Sequence, residues 1–348
     1  LELARVGERI ARARADPRLE PGQPLVDVVH EARLAELAVV DDIDAEVDLL
    51  ADDLGDGAAQ AYGVPLLVDR PALGLSLLKA GLAKMEISCD VSYLNFRFAE
   101  FIGLEAYDWV TNTLPYTAFA GDWCFTAALH GARPGEDQRY IDEVLRGQWQ
   151  LDDAAIANLQ ALKDHASAFI GFCAGVHDWN SYDVVGFTST FTQNIASLAL
   201  AQELKSRFPR LTIVFGGANW EGEMGEELHR RFSFVDYVCQ GESDESFPAL
   251  IAQLRSGTPD VRNIPGVVYR ACDGSTATTA PAVPVTAMDL LPIPDYADYF
   301  AALRSSATFA DVTPSLLIEM SRGCWWGAKS HCTFCGLNGS GMKYRSKA

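Results

Sequence analysis

The chain has 348 residues, 49% of them hydrophobic, enough apolar material for substantial cores and too much for wholesale disorder. It carries 47 acidic against 28 basic side chains, a formal net charge of −19. A balance that acidic lacks the clustered lysines and arginines that grip phosphate backbones or anionic lipid, so neither nucleic acid nor a membrane surface is an expected partner.

Residues 1–60 hold 15 acidic residues and 6 arginines, about half of the net negative charge. Residues 1–15 have a helical pattern, and 41–50 read as an acidic helix with one apolar edge. Together they read as an acidic helical extension, either solvated or docking a partner. Residues 61–262 change texture. Residues 64–68 suit a short buried strand, Pro71 opens a leucine-rich helix over 72–83, and 87–94 alternate loosely like a second strand. The aromatic-rich stretch at 95–128 and the stretch at 136–172 read as helical, with the aromatics serving the core. Then come a buried strand at 184–187, an amphipathic helix at 193–208 ending in basic residues, and a strand at 211–215. A helix at 222–232, a strand at 235–239 and a helix at 246–254 follow.

Strand–helix alternation with short connections predicts an α/β fold with a doubly wound parallel sheet. Glycines follow strand ends at Gly216, Gly217 and Gly241. In such sheets ligands bind outside the carboxyl ends of the strands, where glycine lets a backbone approach closely. Glu242, Asp244 and Glu245 form an acidic cluster there, although the first turn of any helix favours acids. Residues 263–312 suggest a hairpin around Asp273-Gly274 and then a linker containing Pro281, Pro284, Pro292 and Pro294. Residues 313–348 begin a new unit, with a strand expected at 315–320.

That strand leads into Cys324-x7-Cys332-x2-Cys335. Three thiolates this close can converge on one metal centre. Zinc would want a fourth ligand, and His331 is available, but it adjoins Cys332, and neighbours rarely reach one tetrahedral centre together. A four-iron cluster on three cysteines leaves one iron open to a small molecule. The other five cysteines, Cys89, Cys124, Cys173, Cys239 and Cys272, are scattered and read as structural thiols. Eight cysteines in a chain of this length, with no signal peptide and no apolar run of the ~18 residues a membrane span needs, fit a cytoplasmic protein.

The cysteine loop resembles that of radical S-adenosylmethionine (SAM) enzymes, whose commonest spacing is Cys-x3-Cys-x2-Cys; the first gap here is longer. With Arg322-Gly323-Cys324-Trp325-Trp326-Gly327 and Met342-Lys343-Tyr344-Arg345-Ser346, it resembles the cobalamin-dependent radical SAM proteins that mature ribosomally made peptides. The upstream strands, through Gly186-Phe187-Thr188-Ser189-Thr190, Gly216-Gly217-Ala218-Asn219 and Gly241-Glu242, resemble their Rossmann-like cobalamin-binding domain. The resemblance covers about residues 62–348.

It implies that Cys324, Cys332 and Cys335 hold a 4Fe-4S cluster whose open iron chelates SAM, with Phe334 near the adenine. Cobalamin would lie on the sheet's carboxyl edge, contacted by Thr188, Ser189, Thr190, Gly216, Gly217, Asn219, Gly241 and Glu242. The hydroxyls would serve as donors to its tail, and Gly216 and Gly217 would leave room for it. The implied activity is radical modification, C-methylation in particular, of an unactivated carbon of a ribosomally made precursor peptide, with an electron donor protein as second partner. The implied architecture has cobalamin-binding residues 61–262 and the start of a radical SAM partial TIM barrel at 313–348. Only the first strand and loop of that barrel fall within the chain, so a catalytically incomplete cobalamin-binding fragment is an alternative, as is a zinc-stabilised α/β binding domain. No Asp-x-His-x-x-Gly motif supplies a lower axial histidine, and His177 reads as a loop histidine, so no histidine ligand to cobalt is expected.

Overall fold

The computed structural model describes residues 49–50, 68–330 and 343–348. The helices expected at 1–15 and 41–48, the strand at 64–67, and Cys332, Phe334 and Cys335 lie outside the described residues. Leu49-Leu50, expected at the apolar end of the acidic helix, instead form a short strand β1 (Leu49–Leu50) that pairs in parallel with β2 (Val91–Ser92). That pairing with a distant segment overrides the local helical pattern.

The main sheet contains β3 (Val184–Thr188), β4 (Thr212–Gly216), β5 (Tyr237–Cys239), β6 (Val267–Arg270) and β7 (Thr276–Thr278), in that spatial order. β3, β4 and β5 are parallel, with Phe187 opposite Phe215 and Thr188 opposite Gly216. β5 to β7 are antiparallel, and Gly274 at φ +82° turns the expected hairpin. β1 runs beside β3. The chain is therefore a mixed α/β protein with a five-stranded, partly parallel sheet.

Ten helices surround the sheet among the described residues: α1 (Leu73–Ala83), α2 (Leu94–Ile102), α3 (Leu104–Asp108), α4 (Ala120–His130) and α5 (Pro134–Tyr140), then α6 (Asp153–Cys173), α7 (Asn194–Arg207), α8 (Gly222–Arg231), α9 (Ser243–Arg255) and α10 (Ala297–Arg304). The single helical stretch expected at 136–172 is divided. A π-helical run at Ile141–Gln148 ends it, and Asp152 restarts it by accepting the Ala155 N–H at 2.8 Å. The strand expected at 87–94 shortens to Val91–Ser92, bounded on its carboxyl side by α2, which starts at Leu94.

Side chains alternate along the strands, as the two-residue period requires. Val185, Phe187, Ile213, Phe215, Val238 and Val268 join one core with α4, α6 and α7. Val214, Cys239 and Val267 join a second with Phe247, Leu250 and Ile251 of α9 and Leu82 of α1. Both faces are covered, so these strands read as near-continuous apolar runs. Phe215 stacks on Phe187 (4.8 Å, 14°) and against Trp220 (4.2 Å, 33°), fixing the turn that follows β4.

After β7 the chain runs to α10 with little regular structure. The strand expected at 315–320 has no ladder partner among the described residues; pairing falls just beyond it, where β8 (Ser321–Arg322) meets β9 (Arg345–Ser346) antiparallel. Among the described residues no helix is long and apolar enough to cross a membrane.

Candidate functional site

The carboxyl ends of β3, β4 and β5 form the edge to which the sequence points. Ser189, just past β3, is fully buried. Its N–H donates to the Gly216 carbonyl at 3.0 Å, its carbonyl accepts the Asn219 N–H at 3.1 Å, and its hydroxyl accepts Asn219 Nδ2 at 3.0 Å. Asn219 Nδ2 also donates to the Phe191 carbonyl at 2.9 Å. Thr190 and Gln193 form a capping box, in which the Thr190 N–H donates to Gln193 Oε1 at 2.7 Å. Of the three hydroxyls expected to face a ligand, those of Ser189 and Thr190 are thus engaged within the protein, and half-buried Thr188 remains at the edge. Asn219 is likewise a strut between two turns.

Gly217 has φ +86°, and a Cβ there would lie 2.6 Å from the Ser189 carbonyl oxygen and 2.7 Å from its nitrogen. The room it leaves is filled by the neighbouring turn, so its glycine character serves strand-end packing. Gly216 is less constrained, its missing Cβ falling 3.3 Å from the Cys239 carbonyl.

Beside this edge lies a cavity of about 110 Å³ between the end of β3 and helices α2, α4, α6 and α7. Its wall is largely aromatic and aliphatic, including Phe98, Phe125, Phe169, Phe187 and Ile170, with Thr188 and Thr192 at the strand end. Two amides line it, Asn95 and Gln193, both more than nine-tenths buried. Asn95 Oδ1 and Gln193 Nε2 have no hydrogen-bond partner among the described residues. One orphan acceptor and one orphan donor in an apolar hollow is a costly arrangement for a protein that binds nothing there. The Thr190-x-x-Gln193 spacing is a capping signature legible in sequence, but the meeting of Gln193 with Asn95 is tertiary.

Exposed aromatics flank the cavity. Tyr116 meets Phe191 edge-on (5.7 Å, 70°), and both Phe119 (φ +54°) and Phe191 (φ +46°) are held in the left-handed region. Such strain costs about 1–3 kcal/mol per residue and concentrates at functional sites. Asp122 of α4 anchors the same region by accepting the Ile195 N–H at the start of α7 at 2.9 Å. Burial pushes its carboxyl up to about 7, against the pull of the Ile195 and Asn194 N–H groups.

At the end of β5, Gly241 (φ +69°) lies beneath Ala282 of the linker, 2.8 Å from where its Cβ would be. Glu242, expected at a cofactor, instead accepts the Val285 N–H at 2.8 Å and pairs with Arg322 and Arg345. Arg322 is buried and forks twice, to Glu319 (2.6 and 3.0 Å) and to Asp244 (2.5 and 3.0 Å). The residues leading into Cys324 are therefore tied to the carboxyl end of β5. Both arginines stand in the stretches that carry the resemblance, but neither was expected to have a role at the site, since nothing local marks their acidic partners.

Cys324 is half-buried, and its sulfur accepts the Gly327 N–H at 3.2 Å as the chain turns through Trp325 and Trp326. The other two cysteines of the motif and Phe334 lie outside the described residues, and within them no group of three or more metal-ligating side chains gathers. Burial pushes the Cys89, Cys124 and Cys239 thiols up to about 12 and Cys173 higher still, leaving them neutral and inert; Cys272 is exposed. His177 rests against Ser92 (3.3 Å) and the edge of Trp179, and burial pushes its imidazole down to about 4.

No protein-family model matches the chain, and no curated protein matches it. Among solved structures it is similar to the cobalamin-dependent S-adenosylmethionine radical enzyme OxsB. Against OxsB with aqua-cobalamin and S-adenosylmethionine bound, the TM-score is 0.47 at 14% identity over 86% of this chain. Against OxsB with aqua-cobalamin bound it is 0.46 at 14% identity, and against the apo, selenomethionine-labelled form 0.39 at 18% identity over 52% of this chain. The chain spans 29% of the length of the two ligand-bound OxsB chains and 23% of the apo chain. Functional assignment therefore rests on the chain's own residues.

Proposed function

We propose that this chain is the cobalamin-binding and cluster-bearing part of a cytoplasmic, cobalamin-dependent radical SAM enzyme that modifies, by C-methylation, an unactivated carbon of a ribosomally made peptide. The observation that carries this reading is the tie between the two halves of the site. The strand entering the three-cysteine motif is ion-paired, through Arg322, to the loop leaving β5. The segment that enters the motif is thus held at the edge where an α/β sheet takes its ligand, which supports a shared site.

What supports cobalamin is the strand-end geometry and not free ligand contacts, since Ser189, Thr190, Asn219 and Glu242 are engaged within the protein and the cavity of about 110 Å³ could take only a part of such a ligand. β1 lies beside β3 but is laddered only to β2, so the parallel strands β3, β4 and β5 with their crossover helices are the part of the sheet that fits a ligand-binding edge. The cavity opens at the same strand end, is apolar, and offers the Asn95 acceptor and Gln193 donor to the polar rim of an inserted group. Thr188 supplies the hydroxyl that Ser189 and Thr190 do not. Phe119 and Phe191 leave exposed rings next in sequence to the segments that line the cavity. When bound, cobalamin would supply the transferable methyl group and the cluster with SAM the radical; residues 313–348 are read as the first strand and loop of a partial barrel that brings the two together. A peptide substrate and an electron-donor protein are the partners this chemistry requires. No histidine of this chain is assigned to cobalt, and nitrogen superhyperfine coupling from a protein imidazole in the cob(II)alamin spectrum would contradict that.

Anaerobic reconstitution of the full-length protein tests the reading. It predicts roughly four iron and four sulfide per chain, a broad visible band, and retention of added cobalamin on gel filtration. Zinc at one per chain, with no iron and no retained cobalamin, would overturn it in favour of a metal-stabilised binding domain.

A further inference from the structure

β8 and β9 are two residues long and could not hold themselves in place. The segment before them gains little from packing, because Leu316, Ile318 and Met320 are all more than half exposed. Its backbone is held at three points: Ser315 N–H to the Asp69 carbonyl (2.7 Å), Tyr296 hydroxyl to the Leu317 carbonyl (2.7 Å), and Lys347 N–H to the Met320 carbonyl (2.9 Å). Against this, five charged side chains meet where β8, β9 and the start of α9 converge. Arg322, Arg345 and Glu319 are each about nine-tenths buried, and Glu242 and Asp244 are partly buried. Arg322 bridges Glu319, three residues before it, and Asp244 and Glu242 across the gap, while Arg345 of β9 takes the other oxygen of Glu242.

Buried ion networks repay their desolvation poorly as a source of stability, but planar forks fix direction and register. Two forks on one guanidinium leave Arg322 almost no orientational freedom, and Cys324 follows after one residue, Gly323 at φ +77°.

We propose that Arg322 and Arg345 are positioning residues: through Glu242 and Asp244 they clamp the Cys324 strand to the carboxyl end of β5 and so set the separation between the cysteine loop and the sheet edge. This deepens, and rests on, the reading of that edge as the cobalamin site. Arg322 is bonded to Glu319, Asp244 and Glu242 and is given no cofactor contact; its role runs through Cys324 and α9.

The test is Arg322→Lys, with Arg345→Lys as the second variant, in the full-length protein. Hydrogen exchange is expected to speed up by about tenfold or more at 319–324 and 344–347 while β3 to β5 keep wild-type protection, since a lysine at 322 keeps the charge and loses the forks, and one at 345 loses the guanidinium's contact with Glu242. In reconstituted protein, iron content and cobalamin affinity are expected to stay at wild-type levels. The dipolar interaction between cob(II)alamin and the reduced cluster should spread over a wider range of distances. Unchanged exchange in both variants, or an unchanged distance distribution in loaded protein, overturns the clamp. A wild-type protein that takes up neither iron nor cobalamin overturns the functional reading instead, and the exchange measurement then decides the clamp alone.

Discussion

The strand ends of the main sheet and the segment that enters the cysteine motif meet at one place but are built differently. At the sheet edge, Ser189, Thr190, Asn219 and Gly217 lock two turns together through short-range hydrogen bonds and a missing side chain, above a core of stacked rings. The entering segment has an exposed apolar row and a two-residue ladder, and its position depends on charges borrowed from α9. The first region is rigid by itself. The second is rigid only by attachment, so single charge changes should move it while leaving the sheet intact.

Substitutions can break this contrast in order of size. Phe215→Ala removes a fully buried ring from the stack with Phe187 and Trp220 and should cost about 3–5 kcal/mol of global stability by chemical denaturation. Arg322→Ala leaves Glu319 and Asp244 without their cation, a loss on the order of 3–5 kcal/mol, but confined to residues 315–324 and 343–347; limited proteolysis should cut there while the sheet's unfolding midpoint holds. Gly217→Ala should destabilise the sheet edge by about 1–3 kcal/mol, because its Cβ would meet the Ser189 backbone and its φ is left-handed. Glu203→Ala, which breaks an exposed pair with Arg207 on α7, should cost only about 0.3–0.5 kcal/mol.

A pH series sharpens the same contrast from the side of the sheet. Asp122 titrates near 7 in the folded protein and near 3.9 when unfolded, so the folded state holds the proton more tightly. Stability is then highest below about pH 4 as far as this group is concerned, and falls as pH rises toward 7. Asp122→Asn keeps an oxygen for the Ile195 N–H and should flatten that fall, raising stability at pH 8. A steeper slope in the variant would contradict the assignment.

Much of the sheet was legible in the sequence, because β3 and β4 are short apolar runs, β4 with glycines at its end. The edge residues were legible as a location and less so as roles: Ser189, Thr190 and Gly217 stand where a ligand belongs, but their atoms are engaged with one another. Nothing local reveals that Asn95 and Gln193, almost a hundred positions apart, face one cavity, or that Arg322 finds Asp244 across seventy-eight positions of sequence. Leu49-Leu50 followed a helical pattern yet pair as a strand, since parallel pairing depends on a remote partner. The strand expected at 315–320 is an apolar run with no neighbour to pair with among the described residues.

The most direct test of the central claim, that cobalamin on the sheet edge and a cluster on the Cys324 motif share one site, is an EPR measurement on reconstituted full-length protein. The account predicts that reducing the cluster broadens and splits the cob(II)alamin signal through dipolar coupling. Two full-intensity signals with no mutual effect, or no cobalamin signal from protein that carries the cluster, would contradict it.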